Sequence, residues 1–413
     1  MLIVGAGPAG AIAGIVAARA GARVRLIDRS TFPRDKLCGD TLNPGTLSVL
    51  HRLGFGAEIE RVGLRIDGMI LSGERGVSVE GRYPREAHGC AIVRRDLDWL
   101  LVQRAVAAGC QFDTGVGVQG VVVGERRGRP AMTGVEVGVN GRARSLAAPV
   151  IIAADGRRST IAFGLGLARH PARPRRWAVG AYFENFAGVR PPTTITWGDG
   201  VRPRTTTAGG DGVRPHSRDA AGLPLGCLGE MHVRRNCYIG VAAVPGGLTN
   251  VCLVKPSGPA DADLRDASGL LTRTLARDPL LRDRAIQARL VRRPVVLGPL
   301  AVDVDPPALD GLILAGDAAG FIDPMTGDGL RFAIRGGEIA ATMALDALER
   351  GWEGVHARHA AARRREFAGK WRFNRALRAL VASPRAIDAA TVAGRMVPRV
   401  FERIVTHAGD CAW

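Results

Sequence analysis

Three glycines near the start of the chain have the spacing of a dinucleotide-binding turn. Gly5, Gly7 and Gly10 follow the apolar run 1–4 and lead into an alanine-rich segment. Glycine at these places lets the backbone approach a pyrophosphate, whose charge the positive end of the following helix stabilises. Asp28 ends the next apolar run, where a carboxylate can accept hydrogen bonds from a ribose. The predicted chemistry is therefore dinucleotide binding by a βαβ unit.

Two further pairs of aspartate and glycine follow apolar runs later in the chain. Asp155 and Gly156 come directly after 149–154, and Gly316 and Asp317 come after 311–315. Alone, each pair indicates only a turn at the end of a strand.

Hydrophobic patterning predicts the elements that position these motifs. The period of the apolar residues alternates between that of strands and that of helices. Strands are expected over 63–84, 111–153, 177–187, 228–254 and 311–315, and helices over 44–53, 91–108, 262–286, 330–350 and within 355–407. A Gly/Pro/Thr/Arg-rich stretch, 188–226, contains GDGVRP twice and is interpreted as a mobile insertion.

Composition describes a globular protein of two or three domains. The chain has 413 residues, of which 46% are hydrophobic and 23% charged. The seven cysteines are odd in number and form no CxxC pair. This usage favours reduced thiols in a cytoplasmic protein and predicts no metal site.

The net charge of +18 suggests nucleic acid or an anionic membrane as partners. However, only Lys36, Lys255 and Lys370 are lysines among the 57 basic residues, and the arginines are spread over the whole chain. That distribution is typical of coding bias, and 5% aromatic residues offer little for base stacking. Nucleic acid is therefore disfavoured. For the tail, packing on the body is the default and contact with anionic lipid is the alternative.

In combination, the motifs resemble those of FAD-dependent oxidoreductases with the p-hydroxybenzoate-hydroxylase fold. The resemblance includes Arg94 in the spacing RxxLD. Within that superfamily the chain looks most like the geranylgeranyl-reductase-like branch, through FPRDKLCGD at 32–40 and DPMTGDGLRFAIRGGEIAA at 323–341. The likeness extends over essentially the whole chain.

The resemblance implies an α/β (α+β) fold. A Rossmann-type FAD-binding domain would be interleaved with an antiparallel β-sheet substrate domain and followed by a C-terminal helical segment. The implied FAD-binding parts are 1–62, 91–170 and 290–345, the substrate-domain parts are 63–90 and 171–289 with the insertion 188–226, and the C-terminal helices are 346–413.

It also implies which residues contact the cofactor. Arg94 would be a cationic donor on the flavin side, Cys38 and Gly39 would lie near the isoalloxazine ring, and Pro324 would border that ring. The backbone of 327–330, at the start of a helix, could favour the anionic reduced flavin. The full implied set is Gly5, Gly7, Pro8, Ala9, Gly10, Asp28, Arg29, Cys38, Gly39, Arg94, Asp155, Gly156, Gly316, Asp317, Pro324, Gly327, Gly329 and Leu330. No catalytic residue is assigned, and Cys38 is equally compatible with an unreactive buried thiol.

Other residues are interpreted more simply. His88 and His232 fall on or beside substrate-domain strands and are expected to be structural. The segment 238–245 lacks the tryptophans of the WxWxIP strand of flavin halogenases, which argues against halogenation.

The predicted function is FAD-dependent oxidation or reduction of a hydrophobic small molecule that is aromatic, polyketide-like or isoprenoid. Flavin monooxygenation and hydride reduction of a C=C bond both stay open. Because the chain has no second GxGxxG unit, NAD(P)H is expected as a transient electron donor, with an electron-donor protein as the alternative. The expected location is the cytoplasm or the membrane periphery. Competing hypotheses are an NAD-only dehydrogenase and a basic protein that binds nucleic acid or membranes.

Overall fold

The computed structural model describes residues 1–37, 39–74, 78–84, 87–139, 142–172, 175–188, 195–197, 203–205, 227–258, 260–322, 325, 327–381 and 398–411. These residues form two compact units, each assembled from separate stretches of the chain. The first unit comprises Met1–Lys36, Arg95–Arg175 and Pro299–Asn374, and the second comprises Leu37–Arg94, Arg176–Gly298 and Arg375–Trp413.

The strands range from two to eleven residues in length. They are β1 (Leu2–Val4), β2 (Arg25–Asp28), β3 (Thr41–Leu42), β4 (Leu64–Ser72), β5 (Ser78–Arg82), β6 (Gly89–Ala91), β7 (Gln111–Thr114), β8 (Gly117–Arg126), β9 (Arg129–Val139), β10 (Arg142–Ala147), β11 (Ile151–Ala153), β12 (Ala168–Arg169), β13 (Arg176–Glu184), β14 (Ile195–Trp197), β15 (Pro203–Thr205), β16 (Cys227–Arg234), β17 (Cys237–Val244), β18 (Leu248–Pro256), β19 (Arg289–Leu290), β20 (Val295–Leu297), β21 (Asp303–Val304) and β22 (Leu312–Leu314).

The helices differ widely in length. They are α1 (Pro8–Arg19), α2 (Pro44–Arg52), α3 (Gly56–Val62), α4 (Arg94–Ala107), α5 (Thr160–Gly164), α6 (Ala262–Arg265), α7 (Ala267–Arg277), α8 (Gly329–Arg350), α9 (Val355–Val381) and α10 (Pro398–Ala408), with a 3₁₀ helix at Gly316–Ala319.

A five-stranded parallel sheet organises the first unit. Its order is β22-β11-β1-β2-β7, and every neighbouring pair is parallel. The three strands β22, β11 and β1 are apolar and buried along their whole length. Such continuous burial is expected for strands covered on both faces. An antiparallel sheet, β10-β9-β8, packs into the same hydrophobic core.

Small residues let helices α1 and α8 approach closely beside this sheet. A Cβ atom added to Gly337 of α8 would lie 2.2 Å from the backbone oxygen of Ala9 in α1. The two helices are therefore in backbone contact, which holds the start of α1 in place.

A ten-stranded sheet organises the second unit. Its main path is β19-β13-β18-β17-β16-β4-β6-β3, and β20 and β5 pair with β13 and β4. All pairs are antiparallel except β16 with β4. A parallel pair requires a crossover rather than a tight turn, and the chain between Ser72 and Cys227 includes the middle part of the first unit.

The predicted α/β architecture is confirmed, with one difference in a helix. The pattern predicts a single helix over 262–286, whereas the structure has α6 and α7, followed by turns from Asp278. Asp278 has an extended ψ of 127° and precedes Pro279. The residue before proline avoids helical backbone angles, which accounts for the end of the helix at Arg277.

The described residues contain neither a membrane-spanning helix nor a metal-binding cluster. None of their helices combines the length and apolar character needed to cross a bilayer. No group of three or more His, Cys, Asp or Glu side chains among them is arranged to hold a metal ion.

Candidate functional site

The carboxyl ends of four parallel strands meet at one edge of the five-stranded sheet. In the register of that sheet, Val4 is level with Ile27 on one side and Ala153 on the other, and Ala153 is level with Leu314. All three predicted motifs and Asp28 begin within two residues after these positions. The topology therefore brings them to one place beside β1, the strand from which the strand order runs in both directions. Open α/β sheets bind ligands at such a point.

Backbone atoms fill the space that side chains would occupy in this region. Gly5 has φ +97°, and a Cβ atom on it would lie 2.4 Å from the backbone oxygen of Ala154. A Cβ atom on Gly10 would lie 1.8 Å from the backbone oxygen of Gly5, and one on Gly316 would lie 2.8 Å from the Cβ of Ala9. We call the backbone of Gly5, Gly7, Gly10, Ala154 and Gly316 the glycine cradle.

Gly7 differs from the other members of the glycine cradle because it faces open space. Among the described residues, the one neighbour within 4 Å of a Cβ placed on it is Nη2 of Arg34, at 3.6 Å. Gly7 is also the N-cap of α1, and Pro8 occupies the first turn, where a missing N–H costs nothing. The positive end of α1 therefore points towards a place where, among the described side chains, only Arg34 comes near.

Arg34 adds a full positive charge beside Gly7. Its guanidinium forms an ion pair with Asp98 of α4 at 3.1 Å and stacks on the Phe32 ring at 4.8 Å. The Asp98 carboxylate is fully buried. This pair fixes a cation near the cradle, yet sequence analysis selected Arg29, which is exposed at the end of β2. The one arginine of the FPRDKLCGD motif is Arg34, and its place in that motif was the available signal.

Asp28 braces the turn as well as ending β2. Its two carboxylate oxygens accept hydrogen bonds from the N–H groups of Ala6 and Ser30, each at 2.8 Å. The side chain is only 8% exposed. Because each oxygen has a second lone pair, the carboxylate can still accept a ribose hydroxyl.

Asp155 has a buried oxygen available for a ligand. Its Oδ2 accepts the N–H of Thr160 at 2.8 Å, whereas its Oδ1 is buried and has no hydrogen-bond partner among the described residues. Burial raises the pKa of this carboxyl above its usual range, against hydrogen bonds from Ser159 and nearby backbone that lower it. Such an orphaned polar atom costs free energy unless a bound group satisfies it.

An electrostatic interaction links Asp317 of the third motif to Arg157, which follows the second motif. Gly316 has φ +58° and opens the 3₁₀ helix that α8 packs against. Burial lowers the pKa of the Arg157 guanidinium, with Arg158 acting in the same direction and Asp317 opposing them. Arg157 and Asp317 are thus close enough to interact.

The start of α8 carries the remaining predicted residues of this unit. Gly327 has φ +70°, and Gly329 and Leu330 form the first turn. The N-cap residue Asp328 is 1% exposed and pairs with Lys370 of α9 at 3.4 Å. This end of α8 is therefore fixed by a buried ion pair.

The second unit contains a separate polar cluster that sequence analysis did not single out. Asp40 is fully buried and has φ +54°. Its Oδ2 accepts the Tyr182 hydroxyl at 2.6 Å and the Asn250 amide at 2.5 Å, and its Oδ1 accepts the backbone N–H of Arg94 at 3.2 Å. We call these four residues the Asp40 cluster.

Burial dominates the electrostatics of the Asp40 cluster. It raises the pKa of the Asp40 carboxyl to about 6, although hydrogen bonds from Tyr182 and Asn250 and the charge of Arg94 act in the opposite direction. Tyr182 and Asn250 face each other on β13 and β18. Asp40 thus joins the segment that follows Gly39 to the ten-stranded sheet and to the first residue of α4.

Of the described residues implied for FAD, Gly39 and Arg94 belong to the second unit and the others to the first. The aligned strand ends bring the glycine turn, Asp28 and the motifs at Asp155 and Gly316 to one edge of the sheet. Gly39 is exposed, and Arg94 is 5% exposed. Cys38 and Pro324 lie outside the described residues. The assignment of each residue to a cofactor contact stays a prediction, as does the division into FAD-binding and substrate domains.

The two histidines have protein partners. His88 Nε2 lies 2.6 Å from Glu60 Oε1. His232 lies between Ser72 Oγ, 2.8 Å from Nδ1, and Glu230 Oε2, 2.9 Å from Nε2. Ser72 and His232 are buried. Although serine, histidine and glutamate are in the order of a nucleophile with its base, the burial of the hydroxyl favours a structural role.

The geometry at the sheet edge fits a dinucleotide. Its features are a cradle without side chains, a helix N-terminus, the cation of Arg34, and an orphaned carboxylate oxygen on Asp155. These are complementary to two phosphates and a hydroxyl-bearing chain.

Comparison with known proteins gives the same result. Residues 1–191 match the FAD binding domain family. Menaquinone reductase of Mycobacterium tuberculosis is 32% identical over 358 residues, which are 83% of this chain and 76% of that protein. Digeranylgeranylglycerophospholipid reductase 2 of Methanopyrus kandleri is 27% identical over 351 residues, 84% of this chain and 77% of that protein.

A solved structure shows the same fold. The flavin-dependent brominase Bmp2 superposes with a TM-score of 0.77 at 18% identity, covering 99% of this chain and 93% of that one. The chain belongs to the FAD-dependent oxidoreductases of the p-hydroxybenzoate-hydroxylase fold, in the geranylgeranyl-reductase-like branch.

Proposed function

We propose that this flavoenzyme reduces a C=C bond in a hydrophobic molecule that carries an isoprenoid chain. The observation that supports this proposal most is the similarity to menaquinone reductase, which extends over both compact units. The digeranylgeranylglycerophospholipid reductase is similar over nearly the same share of the chain. Both names denote reductases, and both substrates belong to the isoprenoid class.

The chain would bind FAD mainly through backbone and fixed charges. The glycine cradle and the N-terminus of α1 would hold the pyrophosphate together with Arg34, while Asp28 would accept from the ribose and Asp155 from a hydroxyl group. When bound, FAD supplies hydride-transfer chemistry that no side chain can perform.

Addition of hydrogen across a C=C bond needs a proton as well as a hydride. In the second unit the Tyr182 hydroxyl and the Asp40 carboxyl lie 2.6 Å apart and can share a proton. Because burial raises the pKa of Asp40 to about 6, this carboxyl retains a proton at a higher pH than an exposed aspartate. We propose this pair as the store of the proton, and NAD(P)H as the transient electron donor.

Anaerobic turnover tests the proposed function. The holoenzyme is reduced with light and incubated with menaquinone or with a geranylgeranyl lipid in detergent, and the product is analysed by mass spectrometry. The expected product has gained two hydrogens on one C=C bond. A product with one added oxygen atom, formed only when air is admitted, would identify a monooxygenase instead.

The electron donor is tested separately by anaerobic titration. NADH and NADPH are each added to the oxidised holoenzyme while the flavin absorbance is followed. Bleaching by either nucleotide supports it as the donor. No bleaching by either would mean that another protein delivers the electrons.

A further inference from the structure

Helix α9 has one face packed in the protein and an opposite face made of arginines. At 100° per residue, Phe367, Lys370 and Asn374 lie on one side, and all three are buried. The other side carries Arg364, Arg365, Arg372 and Arg375, and all four are exposed. We call these four residues the arginine face. It extends about 17 Å along the helix.

Among the described residues, no carboxylate neutralises the arginine face. Three other cations of α9 are engaged: Arg358 with Asp346 at 2.6 Å, Lys370 with Asp328 at 3.4 Å, and Arg363 with the backbone oxygen of Ala319 at 3.0 Å. None of the four exposed arginines has a carboxylate within salt-bridge distance in the part of the chain that the structure describes. The single acidic residue of α9, Glu366, pairs with Arg331 and Arg335 of α8.

The arginines of this face repel one another, and a bound anion would remove that repulsion. Arg372 and Arg375 are three residues apart, where like charges on a helix repel each other. The other exposed residues of this stretch, Gly369 and Ala376, are small and uncharged. Guanidinium binds phosphate through paired hydrogen bonds as well as through charge.

We propose that the arginine face docks on the phosphate headgroups of an anionic lipid bilayer. The inference rests on the proposed function, because an isoprenoid substrate resides in a bilayer and the enzyme must reach it there. The opposite face of α9 is packed against protein, so the helix does not insert its apolar side into the lipid. Docking is therefore electrostatic and should weaken steeply as salt is added.

Sedimentation with vesicles tests the docking. The FAD-loaded full chain is mixed with vesicles of equal parts phosphatidylcholine and phosphatidylglycerol, or with phosphatidylcholine alone. We expect binding to the anionic vesicles only. The variant R364Q/R365Q/R372Q/R375Q should bind them at least about tenfold more weakly, because each arginine near an anionic surface contributes about fivefold.

A matched variant separates the arginine face from net charge. R127Q/R129Q/R144Q/R293Q removes four exposed arginines elsewhere and should retain the wild-type affinity within about threefold. Equal losses in the two variants would overturn the proposal, as would unchanged binding by the α9 variant. Retained FAD shows that each variant is folded, and R372Q/R375Q alone should give an intermediate loss.

Two further measurements distinguish lipid docking from RNA binding and from the reductase activity. Single-stranded RNA that binds the arginine face more tightly than the vesicles, and displaces them, would identify a nucleic-acid surface and overturn the proposal. Turnover of detergent-dispersed substrate does not need the bilayer. Vesicle binding without such turnover would therefore contradict the proposed function alone, and turnover without vesicle binding would contradict the docking alone.

Discussion

The glycine cradle is shaped by residues that lack side chains, whereas the Asp40 cluster is assembled from side chains that meet across the ten-stranded sheet. In the cradle, an added Cβ would lie 1.8 Å from backbone at Gly10. In the cluster, one buried carboxylate accepts three hydrogen bonds. We therefore expect substitutions that add atoms to disrupt the glycine cradle. We expect the Asp40 cluster to respond to the exchange of a side-chain atom or to a change of protonation.

This difference follows from what each region has to hold. A pyrophosphate needs close backbone approach and a field that does not vary with pH, and N–H groups and Arg34 provide both. A proton needs a group that titrates near the working pH, which a buried aspartate provides. Steric substitutions and pH are therefore the variables that test the comparison.

The largest effect is expected for Gly10→Ala. Its new methyl group would overlap the Gly5 carbonyl, and α1 cannot retreat because Ala9 is in backbone contact with Gly337. We expect the variant to lose at least about 3 kcal/mol of the free energy of unfolding and to retain no FAD. Urea unfolding followed by circular dichroism measures the loss. Gly164→Ala is the control, since its Cβ would meet nothing within 4 Å; equal stabilities would contradict the predicted steric overlap.

A smaller but pH-dependent effect is expected for Asp40→Asn. Asp40 has a pKa of about 6 in the folded protein and about 4 in the unfolded chain. The unfolded chain therefore releases this proton first, and the folded state is destabilised as pH rises from 4 to 6. The difference is about two pKa units, or about 3 kcal/mol.

The measurement is the difference in unfolding free energy between Asp40→Asn and wild type at several pH values. Asparagine does not titrate, so the variant should gain up to about 3 kcal/mol relative to wild type between pH 4 and pH 7. The amide also faces the N–H of Arg94 with a donor, but that cost does not vary with pH. A difference that stays constant over this range would show that the carboxyl has an ordinary pKa.

An effect on the cofactor without an effect on the fold is expected for Gly7→Ala. A Cβ at this position makes ordinary contact with Arg34 at 3.6 Å, and φ is −68°. The methyl group would nevertheless occupy the open space in front of α1. We expect a weakening of FAD binding by about tenfold, or about 1.4 kcal/mol, measured by reconstitution of the apoprotein. Unchanged affinity would mean that the pyrophosphate lies elsewhere.

The glycine cradle could be predicted from the sequence because the residues that define its first part are close together in the chain. The glycine spacing and the apolar runs predict β1, α1 and β2, and the structure confirms those elements. The edge where the motifs meet follows from parallel strands, whose carboxyl ends align. What spacing did not reveal was which cation faces Gly7, since Arg29 and Arg34 both follow β2 within a few residues.

The Asp40 cluster could not be predicted from the sequence because its members are distant from one another in the chain. Tyr182 and Asn250 are 142 and 210 residues from Asp40. Only the register of β13 with β18, and the crossover that makes β16 parallel to β4, bring them to one place. Asp40 was visible as the last residue of FPRDKLCGD, but its burial and raised pKa depend on those long-range pairings.

The smallest effect is expected for Tyr182→Phe, and it shows whether the cluster acts as a unit. Loss of the hydroxyl removes one hydrogen bond to Asp40, at a cost of about 1 kcal/mol. Because that hydrogen bond lowers the pKa of Asp40, its removal should raise this pKa further and move the pH-dependent loss of stability to higher pH.

In the Asp40→Asn background the same substitution should have an effect that does not vary with pH. Stability curves of the two single variants and the double variant measure this coupling. If the midpoint of the Asp40 transition is unmoved in Tyr182→Phe, the hydroxyl and the carboxyl do not share a proton, and the proposed proton store loses its basis.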